Sequence, residues 1–262
     1  MEPAVARVLH IHPTLPSATS ALARHLNLKA RESVRVRGVF SWVVAGGHTP
    51  QGLYELLARE YRMRFPWKDT EVFFGDERCV GPRAAASNYR TVWESLLSHV
   101  SVPRRRVHRM RGEVRPPSAA ARDYARALGP IRLDSRAPPR FDVVLLGIGP
   151  DGHTASLFPR GRALREKRQT VVAIRRAGQP PFLPRLTLTL PALASSREVC
   201  FLVSGRDKEK AVEAIFRSFP RGTHELPASL VRSAGPTHWF LDREAAAALP
   251  TAVTTAASSR PT

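Results

Sequence analysis

Residues 144–159 read VLLGIGPDGHTASLFP. Gly147, Gly149 and Gly152 spell G-x-G-x-x-G directly after the apolar run Phe141-Asp142-Val143-Val144-Leu145-Leu146. An apolar run of this length that stops at glycines reads as a buried strand entering a tight turn. Such a turn fits either a dinucleotide loop or a loop that presents side chains at a strand end. A dinucleotide fingerprint calls for a ribose-binding acid about 20 residues further on. Here the next strand ends at Arg175-Arg176, so only a 2′-phosphate version survives, and Asp151 would repel a pyrophosphate. The glycines read better as a hinge that turns Asp151 and His153 toward a cleft. A histidine so placed is a general base near neutral pH, and the adjacent carboxylate can orient it.

Outward from this loop, the pattern alternates strands and helices. Apolar runs predict strands over 8–12, 39–45, 71–74, 141–146, 171–174, 186–190, 198–203 and 238–241. Helical periodicity covers 17–28, with Ser17 or Thr19 as N-cap, then 87–100, 119–128 and 208–216. A further helix opens at Thr49-Pro50, with Leu53, Leu56 and Leu57 on its apolar face. Alternation of this kind predicts an α/β fold with a mainly parallel sheet and helices on both faces. Residues 1–248 read as one domain, and the Ala/Thr/Ser/Pro-rich tail, 249–262, as disordered, with fraying from Ala245.

With 43% hydrophobic residues, whole-chain disorder is excluded. The sequence shows neither a membrane-spanning apolar run nor a signal-peptide layout at its start. Cys79 and Cys200 lie far apart and form no metal-type pair, which points to a reducing, cytoplasmic setting. The net charge of +19 comes from 41 Lys and Arg, almost all of them Arg and spread along the chain. The dense stretch Arg104–Arg111 has no interleaved aromatics for base stacking, so it reads as a solvated basic surface and not as an obligate nucleic-acid site. Such a field draws anionic small molecules.

Ligands of open α/β sheets bind beyond the carboxyl ends of the strands. Four strands here end in glycine or polar residues, and one cleft there would collect Thr49, Asp76, Glu77, Arg78, Asp151, His153 and Lys208. Gly46-Gly47-His48-Thr49-Pro50 is a glycine turn into a helix start, which suits a phosphate. Lys208 and Arg185 are the candidate counter-cations.

Gly46-Gly47-His48-Thr49-Pro50, Phe74-Gly75-Asp76-Glu77-Arg78, Ser87-Asn88-Tyr89-Arg90 and the run from Leu146 to Pro159 together resemble the 6-phosphogluconolactonase family. Pro184-Arg185-Leu186-Thr187-Leu188-Thr189, Gly205 with Lys208, and His238-Trp239-Phe240-Leu241-Asp242 fit the same pattern, from about residue 8 to 248. The resemblance implies a Rossmann-like α/β fold shared with glucosamine-6-phosphate deaminases. It implies hydrolysis of 6-phospho-D-glucono-1,5-lactone to 6-phospho-D-gluconate in the oxidative pentose phosphate pathway, by a monomer or homodimer needing neither metal nor organic cofactor. It implies His153 as the group that activates water, and Asp76 and Arg78 as the polar pair beside the lactone. Gly46, Gly47, His48, Thr49, Arg185 and Lys208 correspond to the phosphate-holding groups.

The chain departs from that pattern in three places. His48 stands where the family's first loop carries a serine. Arg83-Ala84-Ala85-Ala86 replaces a segment that usually carries acids. The N-terminal helical region reads as short and very basic. These changes leave open a catalytically impaired sugar-phosphate binder. A deaminase-like activity is the other alternative, and the sequence Thr154-Ala155-Ser156-Leu157-Phe158 speaks against it.

Overall fold

The computed structural model describes residues 7–131 and 139–250. In chain order these form β1 (Arg7–His12), α1 (Leu15–Arg37), β2 (Phe40–Val44), α2 (Gln51–Glu60), β3 (Thr70–Phe74), β4 (Asp76–Arg78), α3 (Asn88–Val92) and β5 (Val107–His108). There follow α4 (Pro117–Ala127), β6 (Val143–Leu146), β7 (Val171–Ile174), β8 (Arg185–Leu188), α5 (Leu190–Ala194), β9 (Glu198–Val203), α6 (Glu209–Arg217) and β10 (Thr237–Asp242).

Seven strands form one parallel sheet in the order β1-β10-β9-β6-β2-β3-β5. Every residue of β2, β6, β9 and β10 is buried, which explains the near-continuous apolar sequence of β2, β6 and β9. Helices cover both faces. His238 and Phe240 meet His25 of α1, while Trp239, pointing the other way, meets Phe216 of α6 with ring centres 5.2 Å apart. The edges are handled differently: β1 is half-buried, and β5 is only two residues long.

A second, three-stranded antiparallel sheet, β4-β8-β7, is the main departure from the sequence reading. Asp76-Glu77-Arg78 reads as a polar loop because it has no apolar alternation. The backbone nevertheless pairs with β8, and Gly75 ties the two sheets by donating to Val44 O at 3.2 Å and accepting from Leu188 N at 2.8 Å. Buried side chains of both sheets, among them Trp42, Phe73, Leu186 and Leu188, belong to one hydrophobic cluster.

Helix boundaries also differ from expectation. α1 is capped by Thr14, not by Ser17 or Thr19; Ser17 is the reciprocal partner in a capping box. At 23 residues α1 is far from short, so that part of the third departure does not hold, although the helix is as basic as expected, with Arg24, Lys29, Arg31, Arg35 and Arg37 against one acid, Glu32. Ser87, where the expected helix 87–100 begins, is the N-cap of α3, and a π-turn takes over at Trp93–Leu97 while keeping Leu96 and Leu97 buried. The chain does not fray at Ala245: Ala245, Ala246 and Leu249 are all buried. The remainder of the expected tail, 251–262, lies outside the described residues. No helix among the described residues is long and apolar enough to cross a membrane.

Candidate active site

The four strands whose ends carry the polar residues, β9, β6, β2 and β3, are neighbours in the sheet. After β2 the chain moves to β3 on one side and later returns to β6 on the other. The β2–β6 boundary is therefore a topological switch point, where a crevice opens between diverging loops. A cleft of 540 Å³ lies there, lined by Gly46, Gly47, His48, Thr49, Asp76, Arg78, His153, Arg185 and Lys208, with Asn88, Gln179 and Ser204 beside them.

Glu77 and Asp151, expected in the same cleft, are not in its wall among the described residues. The strand geometry of β4 sends Asp76 and Arg78 to one face and Glu77 to the other. Glu77 is buried and accepts hydrogen bonds from the backbone N–H groups of Arg78, Asn88 and Tyr89 and from Ser87 Oγ, at 2.7–3.0 Å. It anchors the start of α3. Burial raises its carboxyl above the ordinary range, against the pull of those N–H donors.

Asp151 stands behind His153. Its Oδ1 lies 2.6 Å from His153 Nδ1 and accepts from the His153 backbone N at 3.1 Å, while Gln179 Nε2 donates to Oδ2 at 3.2 Å. Burial alone would raise the Asp151 carboxyl. The hydrogen bond and charge of His153, with Gln179, outweigh it and bring the group to about 2. An ionised Asp151 holds the proton of a neutral imidazole on Nδ1 and leaves the Nε2 lone pair as acceptor.

The glycine pattern has a purpose other than cradling a pyrophosphate. A Cβ on Gly149 would sit 2.0 Å from His153 Nδ1 and 2.6 Å from Asp151 Oδ1, so this glycine makes room for the Asp–His pair. No helix starts at this loop; the chain passes through a Thr154–Leu157 bridge to a short 3₁₀ turn at Arg162–Arg165. A helix N-terminus to receive a pyrophosphate is missing among these described residues. Ala155, in the cleft wall, has φ +48°, a conformation that costs a non-glycine residue about 1 kcal/mol or more.

Asp76 is held from three sides. Asn88 Nδ2 donates to its Oδ1 at 2.9 Å, Ser156 Oγ donates to Oδ2 at 2.6 Å, and the Arg185 guanidinium lies 4.0 Å from Oδ2. Asn88 occupies the space beside Gly46, where a Cβ would come within 2.0 Å of Asn88 Oδ1. Arg185 also donates to Pro181 O at 3.0 Å, and burial lowers its pKa while Asp76 opposes that shift. Arg78 donates to Ala86 O at 2.8 Å. Arg78 Nε, Arg185 Nε and Asn88 Oδ1 are buried without a hydrogen-bond partner, and all three residues line the cleft. Buried polar atoms of this kind call for a polar ligand or water.

Beyond the Gly46–Thr49 turn, α2 starts at Gln51 with Pro50 in the cap position and no side chain capping its first turn. Tyr54 fixes the approach, its hydroxyl donating to Ala45 O at 2.6 Å and accepting from Ala45 N at 3.0 Å. Lys208 faces this turn from the β9 side, its Nζ 2.8 Å from the exposed Asp207. Asn88, Ser156 and Gln179 are site residues that the sequence reading does not reach. Asn88 and Ser156 sit inside quoted motifs, but Gln179 has no local signal.

Fold and cleft together define a Rossmann-like α/β protein in which an Asp-paired imidazole and the uncapped glycine turn before α2 meet at one switch point. The family model described as "Glucosamine-6-phosphate isomerases/6-phosphogluconolactonase" matches residues 13–239, and the chain belongs to this family. It is 35% identical over 249 residues to a Streptomyces coelicolor protein named 6-phosphogluconolactonase, covering 92% of this chain and 94% of that one. A Synechocystis protein of the same name is 35% identical over 215 residues, 82% of this chain and 86% of its own. Among solved structures, the 6-phosphogluconolactonase of Thermotoga maritima superimposes with a TM-score of 0.78 at 30% identity, over 90% of this chain and 99% of that one.

Proposed function

We propose that this protein is a 6-phosphogluconolactonase, hydrolysing 6-phospho-D-glucono-1,5-lactone to 6-phospho-D-gluconate in the pentose phosphate pathway. The observation that carries the reading is the convergence of His153, backed by Asp151, with the Asp76–Arg78–Arg185 group and the Gly46–Thr49 turn with Lys208 in one cleft.

In this reading the turn at Gly46, Gly47, His48 and Thr49 holds the substrate phosphate by backbone N–H groups and the α2 dipole. Lys208 and Arg185 supply its counter-charge. His153 Nε2 takes a proton from water as the water oxygen bonds to the lactone carbonyl carbon. Arg78 stabilises the oxyanion that forms. Collapse of the tetrahedral centre breaks the bond to the ring oxygen, which takes the proton back from His153. The products are an open-chain hydroxyl and a carboxylic acid that ionises in water. Asp151 positions His153 throughout, and Asp76, locked by Asn88 and Ser156, orients the sugar hydroxyls. Residues 1–248 serve as a single working domain in a cytoplasmic setting.

The test generates the lactone in place with glucose-6-phosphate dehydrogenase and follows its decay with and without the protein. Acceleration over the spontaneous rate that is lost in His153→Ala is expected. No acceleration at concentrations where a known lactonase works would overturn the reading in favour of a sugar-phosphate binder, and retained binding of 6-phosphogluconate would then identify it as one.

A further inference from the structure

At the amino ends of β9 and β10, on the far side of the sheet's length from the cleft, a second polar cluster is buried beneath α1. His25 Nε2 lies 2.9 Å from Glu198 Oε2, and His238 Nε2 lies 3.3 Å from Glu198 Oε1. Glu198 opens β9, His238 is the second residue of β10, and His25 comes down from α1. One donor atom from each of the three lies within 4.8 Å of the others. In a tetrahedral zinc site with bonds of about 2.0–2.1 Å, donor atoms stand about 3.3 Å apart. The cluster therefore needs only small side-chain rotations to close on an ion.

We propose that His25, Glu198 and His238 form a divalent transition-metal site, suited to Zn²⁺, that joins α1 to the two strands. Two imidazole nitrogens and one carboxylate favour zinc over the hard cations Mg²⁺ and Ca²⁺. The surroundings fit as well. A ligating imidazole needs its second nitrogen held, and His238 Nδ1 is 3.0 Å from His10 Nε2 on β1. A cavity of 260 Å³, lined by Lys29, Ser33, Arg37, Asp142 and Arg197, reaches the Glu198 side of the cluster and leaves room there for a water as fourth ligand. Lys29 is the competing cation: its Nζ is 3.3 Å from Glu198 Oε1 and 3.6 Å from Glu32, one turn away, to which it can move when an ion takes Glu198. The ion's role here is structural, since the catalytic cleft lies at the other end of the strands.

The chelator-stripped full-length protein is titrated with Zn²⁺ by calorimetry and with Co²⁺ by visible absorption. One equivalent is expected, with the intense d–d bands of a tetrahedral site and a higher Tm in Zn²⁺. His25→Ala and Glu198→Gln should each weaken binding at least about tenfold, and Lys29→Met should tighten it. The exposed His99→Ala serves as the surface control and should change nothing. His25→Ala keeps a good helix former on α1, so it carries the test if Glu198→Gln fails to fold. No uptake by the stripped protein, or uptake and a Zn²⁺-dependent Tm that His25→Ala leaves unchanged, would overturn the proposal. A cluster held only by hydrogen bonds would lose stability in His25→Ala with no response to Zn²⁺ in any variant.

Discussion

Replacing Gly149 with alanine isolates the placement of the Asp–His pair from its chemistry. The new Cβ would lie 2.0 Å from His153 Nδ1 and 2.6 Å from Asp151 Oδ1. Carbon and nitrogen do not approach within about 3 Å, so the imidazole must retreat by about 1 Å or more. The obstructing atoms are side-chain ends, so the fold should survive while the geometry of His153 does not. A 1 Å misplacement of a reacting group costs about 100-fold in rate, or about 2.7 kcal/mol of barrier. The expected result in the coupled lactone assay is a kcat down about 100-fold, KM changed little, and an unfolding midpoint close to wild type. Gly81→Ala, where a Cβ meets nothing within 4 Å, provides the matched control. Unchanged turnover in Gly149→Ala would refute the argument, because His153 could not then be both displaced and essential.

Further outcomes follow from the same contacts. Asp151→Asn removes the charge behind the imidazole; losing a charged hydrogen bond of about 1.5–3 kcal/mol should cut kcat about 10- to 150-fold with substrate binding retained, measured by steady-state kinetics. The same variant tests acid stability. Asp151 is lowered from 3.8 to about 2 in the folded protein, so its contribution is full above pH 3.8 and fades as pH falls toward 2. Because a quarter of the side chain is exposed, the contribution should be about 1 kcal/mol, seen as a shallower loss of Tm in Asp151→Asn across that window. Lys208→Gln should raise KM about tenfold or more with a smaller change in kcat, the signature of lost ground-state binding to phosphate. Glu77→Gln should cost about 1–3 kcal/mol in urea unfolding, through its buried hydrogen bonds, while leaving kcat within a few-fold of wild type.

How far the sequence is legible depends on the range of the interaction concerned. β2, β6, β9 and β10 are buried on both faces, and their apolar runs announce them. The glycines and polar residues at their carboxyl ends likewise mark where a ligand must sit. The second sheet carries no such mark, because Asp76-Glu77-Arg78 pairs through its backbone with residues more than a hundred positions later. That unseen strand decides the site. Once β4 is a strand, its alternation turns Asp76 and Arg78 to the cleft and Glu77 to the base of α3. His153 holds Asp151 locally, but the further hydrogen bonds that fix Asp76 and Asp151 come from Asn88, Ser156 and Gln179, each brought in by tertiary structure alone.

The G-x-G-x-x-G spacing shows the same division at the scale of one loop. Glycine at these positions states that something approaches the backbone closely, and it does not say what. In a nucleotide loop the intruder is a phosphate and a helix must follow to receive its charge. Here the intruder is the protein's own imidazole with its carboxylate, and no helix follows. The residues between the glycines already carry the distinction, because Asp151 repels the first ligand and His153 requires the space for itself. A glycine motif is therefore read through the charges it encloses, and in this chain those charges point to proton transfer at a carbonyl.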